Sequence, residues 1–370
     1  MPADHARQRA HRVIIERLEI TNVRNIGSAR IELDERVNLF VGPNGAGKTS
    51  ALEAIHLLVR GRSFRTTRVE AVIQNGESGM TIGAQLRDER QGSTRLGYSR
   101  SRGGRIEVRR DGRPVRQISN VAALVPVQLF LPDLPELVFG SPAGRRQWLD
   151  WGAFHVKPGY FAVLRDYLRS LRSRNSVLRG GDLRTLEAWT AQVAELGESV
   201  AEARREYFER VQGHIRESLS ALSPGLDVEM GYFEGWRAGN LAESLGQNLD
   251  RDVKLGATQA GPHRADVAIR CGEEAASTVL SRGQGKAVAT AMRIGQARDL
   301  AKSGGGSLFL IDDLGAELDE GHSERLYALL EDMPCQIVAT TTHGEAGEGL
   351  MKPGPRATFH VKQGNFEQAG

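Results

Sequence analysis

Short alternating segments dominate the first third of the chain and longer helical rhythms the middle. Arg17-Leu18-Glu19-Ile20 and Ala29-Arg30-Ile31-Glu32-Leu33 exchange polar and apolar residues at every step, the period of strands buried on one face. Val37-Asn38-Leu39-Phe40-Val41 is a mostly apolar run, and the helix-like Ser50-Ala51-Leu52-Glu53-Ala54-Ile55 follows after eight residues. Over 69–116 more alternating segments, among them Met80-Thr81-Ile82 and Arg105-Ile106-Glu107-Val108-Arg109, are divided by turns such as Arg102-Gly103-Gly104 and Asp111-Gly112. That pattern predicts an antiparallel sheet.

The period then lengthens. Phe161, Leu164, Leu168, Leu171 and Leu178, and then Leu186, Trp189, Val193, Leu196, Val200, Ala203 and Tyr207, recur at three, four or seven residues on either side of Gly180-Gly181. Two antiparallel helices joined at the double glycine account for both runs. The second continues through Val211, Ile215 and Leu219 to the breaker Ser223-Pro224-Gly225. Strand patterns resume at 226–230 and 265–269. The last third alternates a helix over about 284–300, a buried strand at 308–311, a helix over about 323–331 and a buried strand at 336–339. Apolar strands alternating with helices imply a parallel sheet. The expected fold class is therefore α/β, with a mixed sheet, an antiparallel β subdomain and an inserted helical lobe. The expected divisions are a polar extension (1–12), a first core half (13–118), the helical lobe (119–222) and a second core half (223–370).

Composition narrows the classes. The chain has 370 residues, 40% hydrophobic and 26% charged, ordinary values for a globular protein. No apolar stretch approaches a membrane span, and the polar, His- and Arg-rich start has no apolar leader core. Cys271 and Cys335 lie far apart and show no metal-ligand spacing. The expectation is a cytoplasmic, reduced protein. The net charge is only +3, but residues 60–116 hold 14 Arg and no Lys against six Asp and Glu. That segment carries +8 and the remainder about −5. Such a basic lobe suits a phosphate backbone, although a hairpin surface with locally paired charges has the same composition.

The chemistry lies between the first apolar strand and its helix. Gly42-Pro43-Asn44-Gly45-Ala46-Gly47-Lys48-Thr49 spells G-x-x-x-x-G-K-T in a strand-loop-helix setting, the P-loop of nucleoside triphosphate binders. Its backbone amides and the N-terminus of the helix, with Ser50 in its first turn, cradle phosphates. Lys48 reaches the outer phosphates, and Thr49 offers a hydroxyl to Mg²⁺. Leu308-Phe309-Leu310-Ile311-Asp312-Asp313 supplies the second half: Asp312 is placed to hold Mg²⁺ through water, and Asp313 to orient or deprotonate an attacking water. The expected cofactors are ATP and Mg²⁺.

Leu280-Ser281-Arg282-Gly283-Gln284 resembles the Leu-Ser-Gly-Gly-Gln signature of ABC-type ATPases. In that superfamily Ser281, Gly283 and Gln284 would face the γ-phosphate held by the P-loop of a second protomer; a plain Ser helix cap is the alternative. By the same analogy Gly315-Ala316-Glu317-Leu318-Asp319 would be the D-loop, His343 the switch residue and Gln128 a lid glutamine sensing Mg²⁺ or the γ-phosphate. A structural Gln is the alternative for Gln128.

Together, Leu18-Glu19-Ile20-Thr21-Asn22-Val23-Arg24-Asn25, the P-loop with Leu52-Glu53-Ala54-Ile55, Gly61-Arg62-Ser63-Phe64-Arg65, Arg145-Arg146 with Leu149-Asp150, Gly261-Pro262-His263-Arg264-Ala265-Asp266, the signature and Ile311-Asp312-Asp313 with Glu317-Leu318-Asp319 resemble the bacterial RecF family in motif order. The resemblance implies an ABC/SMC-head-like P-loop ATPase whose coiled coil is cut down to a short helical lobe. It further implies a homodimer on ATP, weak DNA-stimulated hydrolysis and binding to DNA at gaps and single-strand/double-strand junctions. Cooperation with RecR and RecO in loading RecA, restart of replication and the SOS response complete the picture. DNA contacts are expected on Arg60, Arg62, Arg65, Arg105, Arg109 and Arg110. Gly285 stands where family members carry a larger residue, and with Gly295 it is expected to soften the signature helix, each glycine costing roughly 0.5–1 kcal/mol relative to Ala. A transporter ATPase subunit is the rival enzyme, but Lys48 and Ser281 lie 233 residues apart, room for an inserted lobe. A non-hydrolysing ATP-bound scaffold is the rival without catalysis.

Overall fold

The computed structural model describes residues 12–88, 92–237, 239–314, 320–342 and 356–369. Two compact units emerge, one from the chain up to Asp133 and again from Ala297, the other Leu134–Gln296.

In the first unit a six-stranded sheet runs Asn365–Gln368, Arg356–Lys362, Val37–Val41, Cys335–Thr341, Ser307–Ile311 and Val127–Phe130, parallel except for the antiparallel edge Asn365–Gln368. Cys335–Thr341 and Ser307–Ile311 are buried at every position, which is why they read as continuous apolar runs. The second sheet is antiparallel, in the order Ile26–Glu32, Val13–Val23, Gly79–Asp88, Gly92–Ser101, Ile106–Arg110 and Arg113–Pro114. Its buried face carries Leu18, Ile20, Met80, Ile82, Leu96 and Tyr98. The P-loop helix Lys48–Arg60 shares this core, and of its residues only Thr49 and Arg60 are not buried. A helix hidden nearly all round needs apolar neighbours on every side, and Ala51, Leu52, Ala54, Ile55, Leu57, Leu58 and Val59 supply them.

The second unit holds the helices Pro142–Val156, Tyr160–Gly180 and Leu186–Leu222, the last two forming the expected hairpin. Gly181, at φ 73, ends the first of them in the left-handed region, which glycine enters without a Cβ penalty. A small antiparallel sheet, Glu274–Ala275, Asp266–Cys271 and Glu229–Phe233, completes the unit with most of the helix Arg282–Lys302.

Two features differ from the sequence reading. Val127–Phe130, placed by sequence within the helical lobe, is a strand of the nucleotide sheet hydrogen-bonded to Ser307–Ile311. Four apolar-patterned residues are too few for periodicity to separate strand from helix. The second feature concerns Gly285 and Gly295. A Cβ on Gly285 would lie 2.2 Å from the Phe139 ring, and one on Gly295 would lie 3.0 Å from the backbone nitrogen of Ile215. Close packing, not softness, explains both glycines.

Candidate nucleotide site

The P-loop is built by backbone geometry and held from outside. Gly45 and Gly47 take φ values of 78 and 117, conformations open chiefly to glycine, and they turn the loop into the helix at Lys48. A Cβ on Gly42 would lie 2.3 Å from the Val361 carbonyl oxygen. Asn25, in the turn between the first two strands, donates to the Gly45 carbonyl at 2.8 Å and accepts from the buried Ser50 hydroxyl at 2.9 Å. Asn25 thus ties the middle of the loop to the first turn of its helix. Lys48 Nζ donates to the Gly42 and Pro43 carbonyls at 2.6 and 3.0 Å. Burial lowers the Lys48 pKa, and the nearby charges of Asp313 and Asp312 oppose that shift.

Asp312 follows the last buried residue of its strand. Thr49 Oγ1 and Thr340 Oγ1 both donate to Asp312 Oδ1, each at 2.8 Å. The P-loop hydroxyl and the strand-end carboxylate, 263 residues apart, therefore meet. Asp313 has φ 58, and its amide donates to Thr340 Oγ1 at 2.8 Å. A left-handed non-glycine residue stores of order 1 kcal/mol and is tolerated best by Asn and Asp.

A cavity of about 450 Å³ opens beside the loop, lined by Arg24, Asn25, Asn44 to Ser50, Arg65, Ala71, Ile73 and Asn75. Thr49 and Asp312 provide two hard oxygens, and no cluster of three or more potential ligands occurs among the described residues. That donor set fits Mg²⁺, which keeps waters and shares ligands with substrate phosphates instead of occupying a protein cage.

The other expected site residues fare unequally. Ser281 and Gln284 are exposed and close a capping box: the Ser281 amide donates to Gln284 Oε1 at 2.9 Å, and the Gln284 amide to Ser281 Oγ at 3.2 Å. Gly283 is exposed between them, so the helix cap forms on an exposed turn. Gln128 is not brought to the site. It is wholly buried in mid-strand opposite Phe309, whereas Asp312 lies beyond the strand end, its amide bonded to the Phe130 carbonyl. Its amide has no hydrogen-bond partner among the described residues. His343 and Gly315-Ala316-Glu317-Leu318-Asp319 lie outside the described residues.

The basic segment does not form one patch. Arg109 and Arg110 pair with Gly97 and Leu96 in register, so they occupy opposite faces of the sheet. Arg109 is bonded to Glu107 at 2.8 Å, and Arg110 lies 3.8 Å from Asp111. Arg65 lies 3.7 Å from Glu53. Arg60 ends the P-loop helix. Arg62 and Arg105 are exposed, and no described carboxylate lies within ion-pair distance of either. Asn25 was missed as a functional residue, its only signal a place in a family motif.

The model of the RecF/RecN/SMC N-terminal domain matches residues 14–353. DNA replication and repair protein RecF of Pseudomonas fluorescens (strain SBW25) is 39% identical over 359 residues, 96% of this chain and 98% of the relative. The chain belongs to the RecF family. RecF of Marinomonas sp. (strain MWYL1) is 41% identical over 88% of this chain and 89% of its own. Among solved structures, the recombination mediator protein RecF with ATP, in the RecFOR pathway, superposes with a TM-score of 0.88 at 23% identity, covering 100% of both chains. An SMC head bound to the C-terminal winged-helix domain of ScpA gives 0.61 at 16%, covering 96% of this chain and 97% of that one. The RecF fold is thus an α/β, SMC-head-like one. Among the described residues no helix is long and apolar enough to cross a membrane.

Proposed function

We propose that this RecF-family chain is an ATP-dependent DNA-binding protein of recombinational repair. It dimerises on ATP, binds DNA at gaps and single-strand/double-strand junctions, and helps RecO and RecR load RecA in the cytoplasm, supporting replication restart and SOS induction. The observation that carries the ATP part is the meeting of Thr49 with Asp312 beside a formed P-loop. Membership of the RecF family and a relative solved with ATP support the remainder.

In this mechanism the P-loop amides and Lys48 would bind the β- and γ-phosphates, while Thr49, and Asp312 through water, would hold Mg²⁺. Lys48 leaves the Gly42 and Pro43 carbonyls to do so. Ser281 and Gly283 of one protomer bind the γ-phosphate on the P-loop of its partner, so nucleotide bridges and stabilises the dimer. ATP supplies a phosphoryl group whose loss removes that bridge. Asp313 accepts a proton from, or orients, the attacking water, and turnover is slow and stimulated by DNA. DNA phosphates are bound by arginines of the 60–116 segment, Arg62 and Arg105 ahead of Arg60, Arg109 and Arg110, because among the described residues no carboxylate pairs with those two, while Arg65 lines the nucleotide cavity. His343 reads the γ-phosphate as the switch residue.

Sedimentation with and without Mg-ATP tests the shared site. Wild type should dimerise on ATP, Lys48→Met should not bind it, and Ser281→Arg should bind it yet stay monomeric. Normal dimerisation of Ser281→Arg would reduce the signature to a helix cap. DNA affinity should fall steeply with salt, and a flat salt response would exclude the arginine surface.

A further inference from the structure

Three family-like segments whose purpose the phosphate site leaves unexplained converge on one carboxylate. Glu53 lies four residues after Thr49, one turn along the P-loop helix, and its side chain is 0% exposed. Arg24 grips it with two bonds of 2.9 Å, from Nε to Oε2 and from Nη2 to Oε1. The Ser63 hydroxyl donates to Oε1, and Arg65 Nη1 stands 3.7 Å from Oε2. Ser63 Oγ in turn accepts the Arg65 and Thr66 amides at 2.9 and 3.1 Å, which fixes the loop that carries Arg65. A buried carboxylate this thoroughly satisfied is a rigid anchor.

Its two arginines form part of the cavity wall beside the P-loop, with Ala71, Ile73 and Asn75. Three of the five guanidinium hydrogens of Arg24 are engaged, since Nη1 donates to the Ala71 carbonyl at 2.9 Å while Nε and Nη2 hold Glu53. Arg24 is thereby fixed in place and offers a ligand its planar face beside the two remaining hydrogens. Planar guanidinium faces, aliphatic carbon and one side-chain amide are the chemistry that receives a heteroaromatic base and a ribose. Phosphates are met elsewhere, by the loop amides and Lys48. Arg65, half exposed and held by one long contact, is the wall member that can close on a ligand.

We propose that Glu53 is a positioning residue for the nucleoside end of the bound nucleotide, setting Arg24 as a fixed face and Arg65 as a closing one. This rests on the nucleotide reading of the P-loop. The chemical class recognised is a nucleoside triphosphate through its base and ribose, as distinct from its phosphates.

Equilibrium binding of Mg-ATP and of inorganic triphosphate separates the two ends. Glu53→Gln keeps the volume and removes the charge, and should weaken ATP about tenfold or more while leaving inorganic triphosphate unchanged. Arg65→Ala, at a half-exposed position, should weaken ATP several-fold, again sparing triphosphate. Lys48→Met should weaken both ligands together. Equal losses for both ligands in Glu53→Gln would make Glu53 a mere support of the helix, and unchanged ATP affinity in Arg65→Ala would overturn the clamp. Wild-type protein that bound neither ligand would instead overturn the nucleotide reading itself.

Discussion

Thr49 Oγ1 donates to Asp312 Oδ1 at 2.8 Å, joining the start of the P-loop helix to the end of a strand 263 residues away. Thr340 donates to the same oxygen, so the carboxylate is oriented before any ligand arrives. Pre-orientation matters because a group already in place costs no reorganisation during reaction. Asp312→Asn retains an oxygen for both threonines but loses the charge that would hold Mg²⁺. We expect the variant to fold and to bind ATP within a few-fold of wild type, with hydrolysis reduced about 100-fold or more. Phosphate release at saturating Mg-ATP measures this, and near-normal turnover would remove Asp312 from the metal site.

The neighbouring Asp313 tests geometry and chemistry separately. Its φ of 58 suits Asn almost as well as Asp, whereas Ala gains nothing from a left-handed backbone. Asp313→Asn should therefore melt like wild type yet accumulate as a long-lived ATP dimer. Asp313→Ala should lose roughly 1 kcal/mol of stability as well. Thermal melts beside a turnover assay decide: rapid hydrolysis by Asp313→Asn would end the role proposed for this carboxylate.

Helix propensity favours Ala over Gly at position 285 by about 1 kcal/mol, yet we expect Gly285→Ala to destabilise. The added methyl would sit 2.2 Å from Phe139, and overpacking of this kind costs about 1–3 kcal/mol. Adding Phe139→Leu should recover part of the loss, because it withdraws the ring that the methyl meets. A Gly285→Ala variant more stable than wild type in urea would show that the ring moves aside freely.

The same position illustrates what the sequence could and could not reveal. The P-loop and Asp312-Asp313 were readable because each motif is contiguous and sits in the setting its chemistry needs, between a buried strand and a helix or at a strand's end. The helices of the hairpin were readable for a similar reason, since a three-four rhythm sustained over tens of residues is helical. Contacts between distant segments were not. Nothing in the composition of 61–65 says that Ser63 and Arg65 meet Glu53, or that Asn25 braces Gly45. Counting the arginines of 60–116 gave their charge but not the alternation that sends Arg109 and Arg110 to opposite faces. A site role for Gln128 rests on analogy with the superfamily's lid glutamine, with a structural Gln as the alternative; pairing with Phe309 makes it mid-strand.

Two histidines, His56 buried and His263 half-buried, make stability fall in mild acid. His56 Nδ1 donates to the Arg62 carbonyl at 2.7 Å, and burial drops its pKa to about 3. His263 lies between the Thr258 carbonyl at 2.9 Å and the Tyr167 hydroxyl at 2.7 Å, and burial lowers it to about 4. Both are neutral when folded, whereas an unfolded histidine titrates near 6.5. Above about pH 6.5 neither state binds the proton, and their contribution is complete. Below it the unfolded chain gains a proton at each site that the folded chain refuses, so stability declines as pH falls towards 4 and then 3. Between pH 7 and 5.5 each histidine should remove roughly 1 kcal/mol. They belong to different units, so urea unfolding should be followed with a probe in each. His56→Leu should flatten the acid dependence of the first unit and leave that of the second unchanged. A pH-independent midpoint in wild type over this range, or an unchanged slope in His56→Leu, would mean that these rings take up protons without unfolding.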